Sequence, residues 1–183
     1  MSGFVVWFTG LSGAGKTTVA NIVEAELEQR GLVVDHLDGD IVRTHLSKGL
    51  GFSKEDRDTN IARIGWVASR LSRAGAAVIV SAISPYEEMR RHARSLVEQH
   101  SPFVEVYVAT SLEECARRDP KGLYAAAFAG EIQDFTGVSA PYEEPLEPEL
   151  RLDTTGLTPP ESAATVLERL EELNLLPSQV EAE

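Results

Sequence analysis

One cysteine in 183 residues rules out an internal disulfide, so a packed core must hold this chain together. That residue, Cys115, stands in the helical pattern "SLEECARR" and reads as a small buried side chain, not a nucleophile. Long apolar runs are missing as well: none approaches the roughly 18 residues of a membrane span. The opening "MSGFVVWFTG" has no basic segment ahead of its apolar run. That run leads straight into glycines and reads as a core strand, not a signal peptide. With neither leader nor span, the cytoplasm is the default compartment. Positive charge is scarce too: 17 Lys and Arg stand against 29 Asp and Glu, a net charge of −12. This excludes the basic stripe that a nucleic-acid surface requires. An acidic chain that binds an anionic small molecule must gather its few cations in one pocket, so their positions are informative.

What is present is an ordinary globular composition, 43% hydrophobic and 25% charged, in a length that fits one domain with a sizeable core. Short runs rich in β-branched and aromatic residues, "FVVWF" (4–8), "LVVDHL" (32–37), "AAVIVSA" (76–82) and "FVEVYV" (103–108), read as strands. The first and third are nearly continuous, as expected of strands buried on both faces of a parallel sheet. Helical patterns lie between them. Residues 16–30 place Val19, Ile22, Val23 and Leu27 on one face and stop at Gly31. Residues 55–74 do the same with Ile61, Ile64, Val67, Ala68 and Leu71 and stop at Gly75. Further helices are expected over 86–99 and 160–173. The alternation predicts an α/β fold of three layers with a mainly parallel sheet and right-handed crossovers, and there is no internal repeat. It is read as a single domain over 1–176, with 177–183 as a frayed tail. The stretch 119–148 breaks the rhythm: it has little clean periodicity and ends in three closely spaced prolines. An irregular insert inside a compact domain is usually a lid or a disordered segment.

The segment Gly10-Leu11-Ser12-Gly13-Ala14-Gly15-Lys16-Thr17 fits G-x-x-x-x-G-K-[ST] in full, with a buried strand before it and an amphipathic helix after it. Its glycines let successive N–H groups converge on phosphates, and the helix N-terminus adds a favourable dipole. Lys16 is placed to reach the β and γ phosphates and the Thr17 hydroxyl to ligate Mg²⁺. A glycine-rich turn with a chance lysine is the competing reading, and the flanking strand and helix weigh against it. The motif specifies a nucleoside triphosphate and says nothing of the acceptor.

Three clusters follow, each at the C-terminal end of an expected strand, where open α/β sheets place ligands. In "LDGDIVR" (37–43), Asp38 and Asp40 flank a glycine, and either is suited to orient Mg²⁺ or take a proton from an attacking hydroxyl. A βα turn in which one aspartate caps the next helix competes with that reading. In "GFSKEDRDTNIARIG" (51–65), Ser53 and Asp56 form a capping box variant, while Arg57 and Asn60 share a helix face able to bind an anion. In "SAISPYEEMRR" (81–91), Pro85 favours a helix start, and Ser84 has less reason to stand there as turn chemistry alone.

Taken together, "GLSGAGKTT", "LDGDIVR", "GLGFSKEDRDTNI", "SAISPY", "RRDPKGLY", "AGEIQDFTG" and "PYEEP" occur in an order that resembles the adenylylsulfate kinases, from about Val5 to Asp153. These P-loop enzymes phosphorylate the 3′-hydroxyl of adenosine 5′-phosphosulfate with ATP and Mg²⁺ in sulfate assimilation. The resemblance implies a nucleotide site of Gly10 to Thr18 with Arg118, and a metal held by Thr17 and Asp40. It implies catalytic roles for Lys16, Asp38, Asp40 and Ser84. It implies an acceptor site of Asp40, Arg43, Phe52, Arg57, Asn60, Ile83, Ser84, Lys121 and Phe135, with the two phenylalanines sandwiching the adenine. The serine matching Ser84 is assigned a phosphoserine intermediate in the family, although in-line transfer needs positioning and charge neutralisation and no covalent relay. A lid over about 119–141 and a homodimer are also implied. The chain departs from the family where Ala126-Ala127-Phe128 replaces a basic run and Gln133 replaces a lysine. These losses bear on lid electrostatics more than on acceptor identity. A related small-molecule kinase with a shifted acceptor, or a regulator that binds nucleotide without catalysis, remain the alternatives. Retention of Lys16, Thr17, Asp38 and Asp40 argues against the second.

Overall fold

The computed structural model describes residues 3–176; the expected frayed tail, 177–183, lies outside the described residues. The elements in chain order are β1 (Phe4–Thr9), α1 (Lys16–Gln29), β2 (Val34–Asp38), α2 (Gly39–His45), α3 (Lys54–Arg73), β3 (Ala77–Ser81), α4 (Glu87–Val97), β4 (Phe103–Val108), α5 (Leu112–Arg118), α6 (Leu123–Phe128), β5 (Leu150–Leu152) and α7 (Pro159–Glu172). The five strands form one parallel sheet in the order β2-β3-β1-β4-β5.

Alternation along β1 explains why the sheet is covered on both faces. Phe4, Val6 and Phe8 join α1 and α7 side chains such as Val19, Val23, Leu27, Val166 and Leu170 in one core. Val5 and Trp7 point the other way, into a second core with Ile61, Ile64 and Ala68 of α3 and Ala93 and Val97 of α4. The near-continuous apolar sequence of β1 is what a central strand between two helical layers demands. α3 and α4 approach closely because α3 carries Gly65 at the crossing, where an added Cβ would lie 2.8 Å from that of Ala93.

The expected strands and helices are present with shifted ends. The second strand starts at Val34, two residues later than expected, because Gly31 turns with φ of 80° and Leu32 closes back onto the α1 C-terminus. Two elements escaped the sequence reading, α6 and the fifth strand, while α2 is the helix that the competing reading of "LDGDIVR" had one aspartate cap, and Asp38 caps it. The insert after Asp119 is accordingly less irregular than its sequence suggested. α6 occupies Leu123–Phe128, and Thr136 pairs with Ala140 further on. Cys115 is buried, as expected.

Candidate active site

The C-terminal ends of β1, β2 and β3 open into a cleft of about 430 Å³ lined by the glycine loop, both aspartates and the acceptor-side residues. The loop after β1 turns back against β4, and Gly10 (φ 145°) is required there: an added Cβ would lie 2.5 Å from the Val108 carbonyl. Gly15, at φ 106°, is the N-cap of α1. The loop is buttressed from behind. The Thr110 and Thr154 hydroxyls lie 3.0 and 2.9 Å from the Ala14 carbonyl and 2.7 Å from each other, so one donates to the carbonyl and the other to its neighbouring hydroxyl. Tyr124 of α6 donates to the Ser12 carbonyl at 2.8 Å. Arg118 does not point at the loop itself. It donates to the side chain and carbonyl of Thr154 and to Glu114, at the rim beside Gly15. Leu11 packs against the insert near Gly137, and Thr18 lines the cleft from the exposed side of α1.

Lys16 is buried, with Nζ donating to the carbonyls of Gly10 (2.9 Å) and Leu11 (2.7 Å). Burial lowers its pKa to about 8; the nearby Cys115, Asp38 and Asp40 act the other way and only partly offset it. The next residue explains the first aspartate. Thr17 donates its hydroxyl proton to Asp38 Oδ2 at 2.8 Å, and Ser81 donates to the same oxygen at 3.0 Å. Asp38 Oδ1 accepts from the backbone N–H groups of Asp40 (2.9 Å) and Ile41 (3.4 Å), which makes Asp38 the N-cap of α2. Burial alone would raise the Asp38 carboxyl, but these four hydrogen bonds outweigh it and hold the group below the usual carboxylate range. Asp38 is therefore saturated: it caps a helix and orients Thr17. Asp40 is its opposite, 75% exposed and paired with Lys121 of the insert. Of the two carboxylates, Asp40 is the one free to meet an acceptor hydroxyl.

Across the cleft, Arg57 is buried and joins the two aromatic candidates. Its Nε donates to the Phe52 carbonyl at 2.7 Å, while its Nη groups donate to the Asp134 carbonyl and the Thr136 hydroxyl, on either side of Phe135. Arg43 donates to the Gly51 carbonyl at 2.9 Å and lies over the Phe52 ring, 4.5 Å from its centroid. Phe52 is 62% exposed and Phe135 half-buried, edge-on to Tyr124, and both line the cleft. Asn60 is buried in the same wall and lines the cleft, with its Oδ1 lacking a partner among the described residues. Ile83 and Ser84 form the remaining edge. The Ile83 carbonyl accepts from Thr9 at 2.7 Å, and Ser84 sits at φ 42° with its hydroxyl accepting from Trp7 Nε1 at 3.1 Å.

Of the nucleotide- and acceptor-site residues expected from the sequence, all but Gly10, Leu11, Ala14 and Arg118 thus line one cleft. Thr110, Thr154, Tyr124 and Ser81 were not singled out; they contact the loop or Asp38 across long stretches of chain, and isolated Thr, Tyr and Ser residues carry no spacing signal.

Comparison with known proteins agrees with this geometry. The family model for adenylylsulphate kinase matches residues 2–153. An adenylyl-sulfate kinase of Rippkaea orientalis is 53% identical over 97% of both chains. A "probable bifunctional SAT/APS kinase 2" of Sorangium cellulosum is 55% identical over 97% of this chain, which spans only 30% of that protein's length. Among solved structures, the Mycobacterium tuberculosis APS kinase CysC in complex with AMPPNP and APS superposes with a TM-score of 0.89, at 47% identity, covering 93% of this chain and 98% of that one. A hexameric APS kinase from Thiobacillus denitrificans matches with a TM-score of 0.76 and 41% identity, over 96% of this chain and 30% of that one. This chain belongs to the adenylylsulphate kinase family.

Proposed function

We propose that this chain transfers the γ-phosphoryl group of ATP to the 3′-hydroxyl of adenosine 5′-phosphosulfate, giving 3′-phosphoadenosine 5′-phosphosulfate and ADP. The observation that carries this reading is the meeting, in one cleft, of a complete phosphate loop, an exposed Asp40, and two phenylalanines tied together by Arg57. Phosphoryl transfer asks the protein mainly for alignment and charge neutralisation. Lys16 and the loop N–H groups supply the second at the donor, and Phe52 and Phe135 supply the first at the acceptor by stacking on its purine, at about 1–3 kcal/mol per contact. Asp40 accepts the proton of the attacking hydroxyl.

Mg²⁺ belongs to this reading, and the donor set fits it. Thr17 gives its proton to Asp38, which leaves the hydroxyl lone pairs for a cation, and Asp40 offers a carboxylate on the same side. The ion would neutralise charge on the β and γ phosphates. Residues 119–141 serve as a lid, joined to the phosphate loop by Tyr124 and to the acceptor wall by Arg57. The domain runs over 1–176. Among the described residues no helix is long and apolar enough to cross a membrane, and we place the enzyme in the cytoplasm. A homodimer is the assembly expected from the family resemblance, and sedimentation of the purified chain distinguishes it from a hexamer.

Calorimetry with adenosine phosphosulfate in the presence of ADP and Mg²⁺ tests the acceptor. Binding is expected to be far tighter than that of AMP or adenosine under the same conditions; equal affinities would transfer the case to another acceptor.

Ser84 is expected to be a structural post. Its hydroxyl is buried and engaged by Trp7, which leaves it poorly placed for in-line attack. Ser84→Ala should keep kcat within about tenfold of the parent, well short of the loss expected for a covalent relay. Abolished turnover, together with phosphoserine recovered from the parent protein, would establish the covalent route instead.

Lys16 gives a second expectation. A lysine with a pKa near 8 in the free protein is mostly neutral at about pH 9, and bound phosphates favour the charged form. ADP binding with Mg²⁺ at that pH should take up close to one proton, and affinity should fall as pH rises above 8. Titration calorimetry in two buffers of different ionisation enthalpy reads the uptake; identical heats in both would contradict it.

A further inference from the structure

Arg90 lies on α4, outside the cleft, and is only 1% exposed. A buried guanidinium is costly unless its donors are matched, and here both Nη groups are engaged. Nη1 donates to the Ser84 carbonyl at 2.7 Å, and Nη2 donates to the Glu143 carbonyl and to Glu87 Oε2, both at 2.7 Å. Nε is ion-paired with Glu105 Oε1 of β4 at 3.1 Å, without the geometry of a hydrogen bond. Two of these partners are main-chain carbonyls with opposite roles. Ser84 belongs to the turn that edges the acceptor side, and Glu143 stands where the insert rejoins the body of the domain. The Glu143 N–H returns to the Pro85 carbonyl at 2.8 Å, so the same two segments are joined twice.

The turn needs such a hold. Ser84 has φ of 42°, a region that costs a residue with a Cβ free energy and persists only where its surroundings over-determine it. Trp7 fixes its hydroxyl and Arg90 its carbonyl, while Thr9 holds the Ile83 carbonyl just before it. A residue serving only as a buried counter-ion to Glu105 would need one carboxylate partner. Instead, Arg90 directs two of its nitrogens at backbone carbonyls in a planar arrangement that a lysine cannot reproduce.

We infer that Arg90 is a positioning residue for the acceptor nucleotide: its guanidinium locks the Ile83–Pro85 turn to Glu143, two residues past the lid, so that acceptor binding and lid closure share one anchor. The inference rests on the proposed adenosine phosphosulfate kinase activity, since it assigns the turn to that acceptor. Because Arg90 has no contact with the phosphate loop among these bonds, its loss should be felt by one substrate and not the other.

Steady-state kinetics of the full chain, with each substrate varied in turn, tests this. Arg90→Lys keeps the charge beside Glu105 and loses the fork. It should raise the KM for adenosine phosphosulfate about tenfold, the size expected when a positioning contact is misplaced, and leave the KM for ATP within about twofold. The double variant Arg90→Met with Glu105→Gln removes both charges, so no carboxylate is stranded, and should show the same selective rise. Arg91→Gln, on the exposed side of α4 and bonded to the same Glu87, should leave both KM values unchanged. Unchanged kinetics in a folded Arg90→Lys, equal rises for both substrates, or failure of both Arg90 variants to fold would reduce Arg90 to a stabilising contact and overturn the inference. A parent enzyme unable to phosphorylate adenosine phosphosulfate would be a separate result, removing the kinase reading and this one with it.

Discussion

Lys16→Ala is expected to lower kcat by at least about 10²–10³-fold, the loss typical of removing one preorganised group that neutralises transition-state charge. The fold should survive, and the stability argument has a definite sign. Burial holds the Lys16 pKa near 8, below its ordinary 10.5, so the folded state binds this proton less readily than the unfolded chain. The charged ammonium therefore opposes folding below pH 8, by about 3 kcal/mol, and the penalty is relieved as pH rises from 8 to 10.5. Alanine removes the penalty and leaves two loop carbonyls, those of Gly10 and Leu11, without their donor. The melting temperature at pH 7 should therefore hold or rise while turnover collapses. Near-normal kinase activity in a folded variant would mean that the loop does not cradle the transferred phosphate.

The phosphate loop was legible in the sequence because all its parts are local: a strand, three glycines with fixed offsets, and the first turn of a helix. The two cores were legible for the same reason, since alternation in β1 and the helical period in α1 and α3 are properties of short windows. β5 was not. Three residues, Leu150–Leu152, preceded by prolines and glutamates, are too few to show a period, and the strand exists because β4 offers it an edge. α6 was hidden likewise by its length of six residues; it is set in place by Asp119, whose carboxylate accepts from the N–H groups of Tyr124 and Ala125.

The site divides along the same line. Asp38 and Asp40 look equivalent in "LDGDIVR", and only the fold separates a saturated helix cap from an exposed carboxylate. Phe52 and Phe135 came from family resemblance alone, for nothing in a window around either residue connects them. Arg57 supplies the physical connection, by reaching the Phe52 carbonyl and both flanks of Phe135. The same bonds sharpen the expectation for Arg57 itself. It was read as an anion-binding side chain, and three of its N–H groups are committed to the two walls of the cleft, so it also sets their separation.

Asp40→Asn should lower kcat by about 10²–10⁴-fold, the span expected when a positioned general base is lost. The substitution keeps the shape and removes the charge that handles the acceptor proton and the metal. It should leave stability almost untouched, because Asp40 is exposed and its pair with Lys121 is of the surface kind that contributes little. Asp38→Asn should behave in the opposite way. An asparagine amide must present N–H groups to some of the four donors that Asp38 now satisfies, so the α2 cap weakens and Thr17 loses its orientation. Its main signatures should be a lower melting temperature and a raised Mg²⁺ requirement. The acid limb separates the two residues further. The Asp38 carboxyl titrates below its unfolded value, so its contribution is present above about pH 4 and is lost as pH falls through the lower folded value. Asp38→Asn should flatten that part of the stability profile, and Asp40→Asn should leave it intact. Denaturation of both variants from pH 7 down to pH 3, with kcat measured at pH 7, decides the assignment. Should Asp38→Asn lose kcat with unaltered stability while Asp40→Asn keeps it, the base is Asp38 and the roles given to the two aspartates must be exchanged.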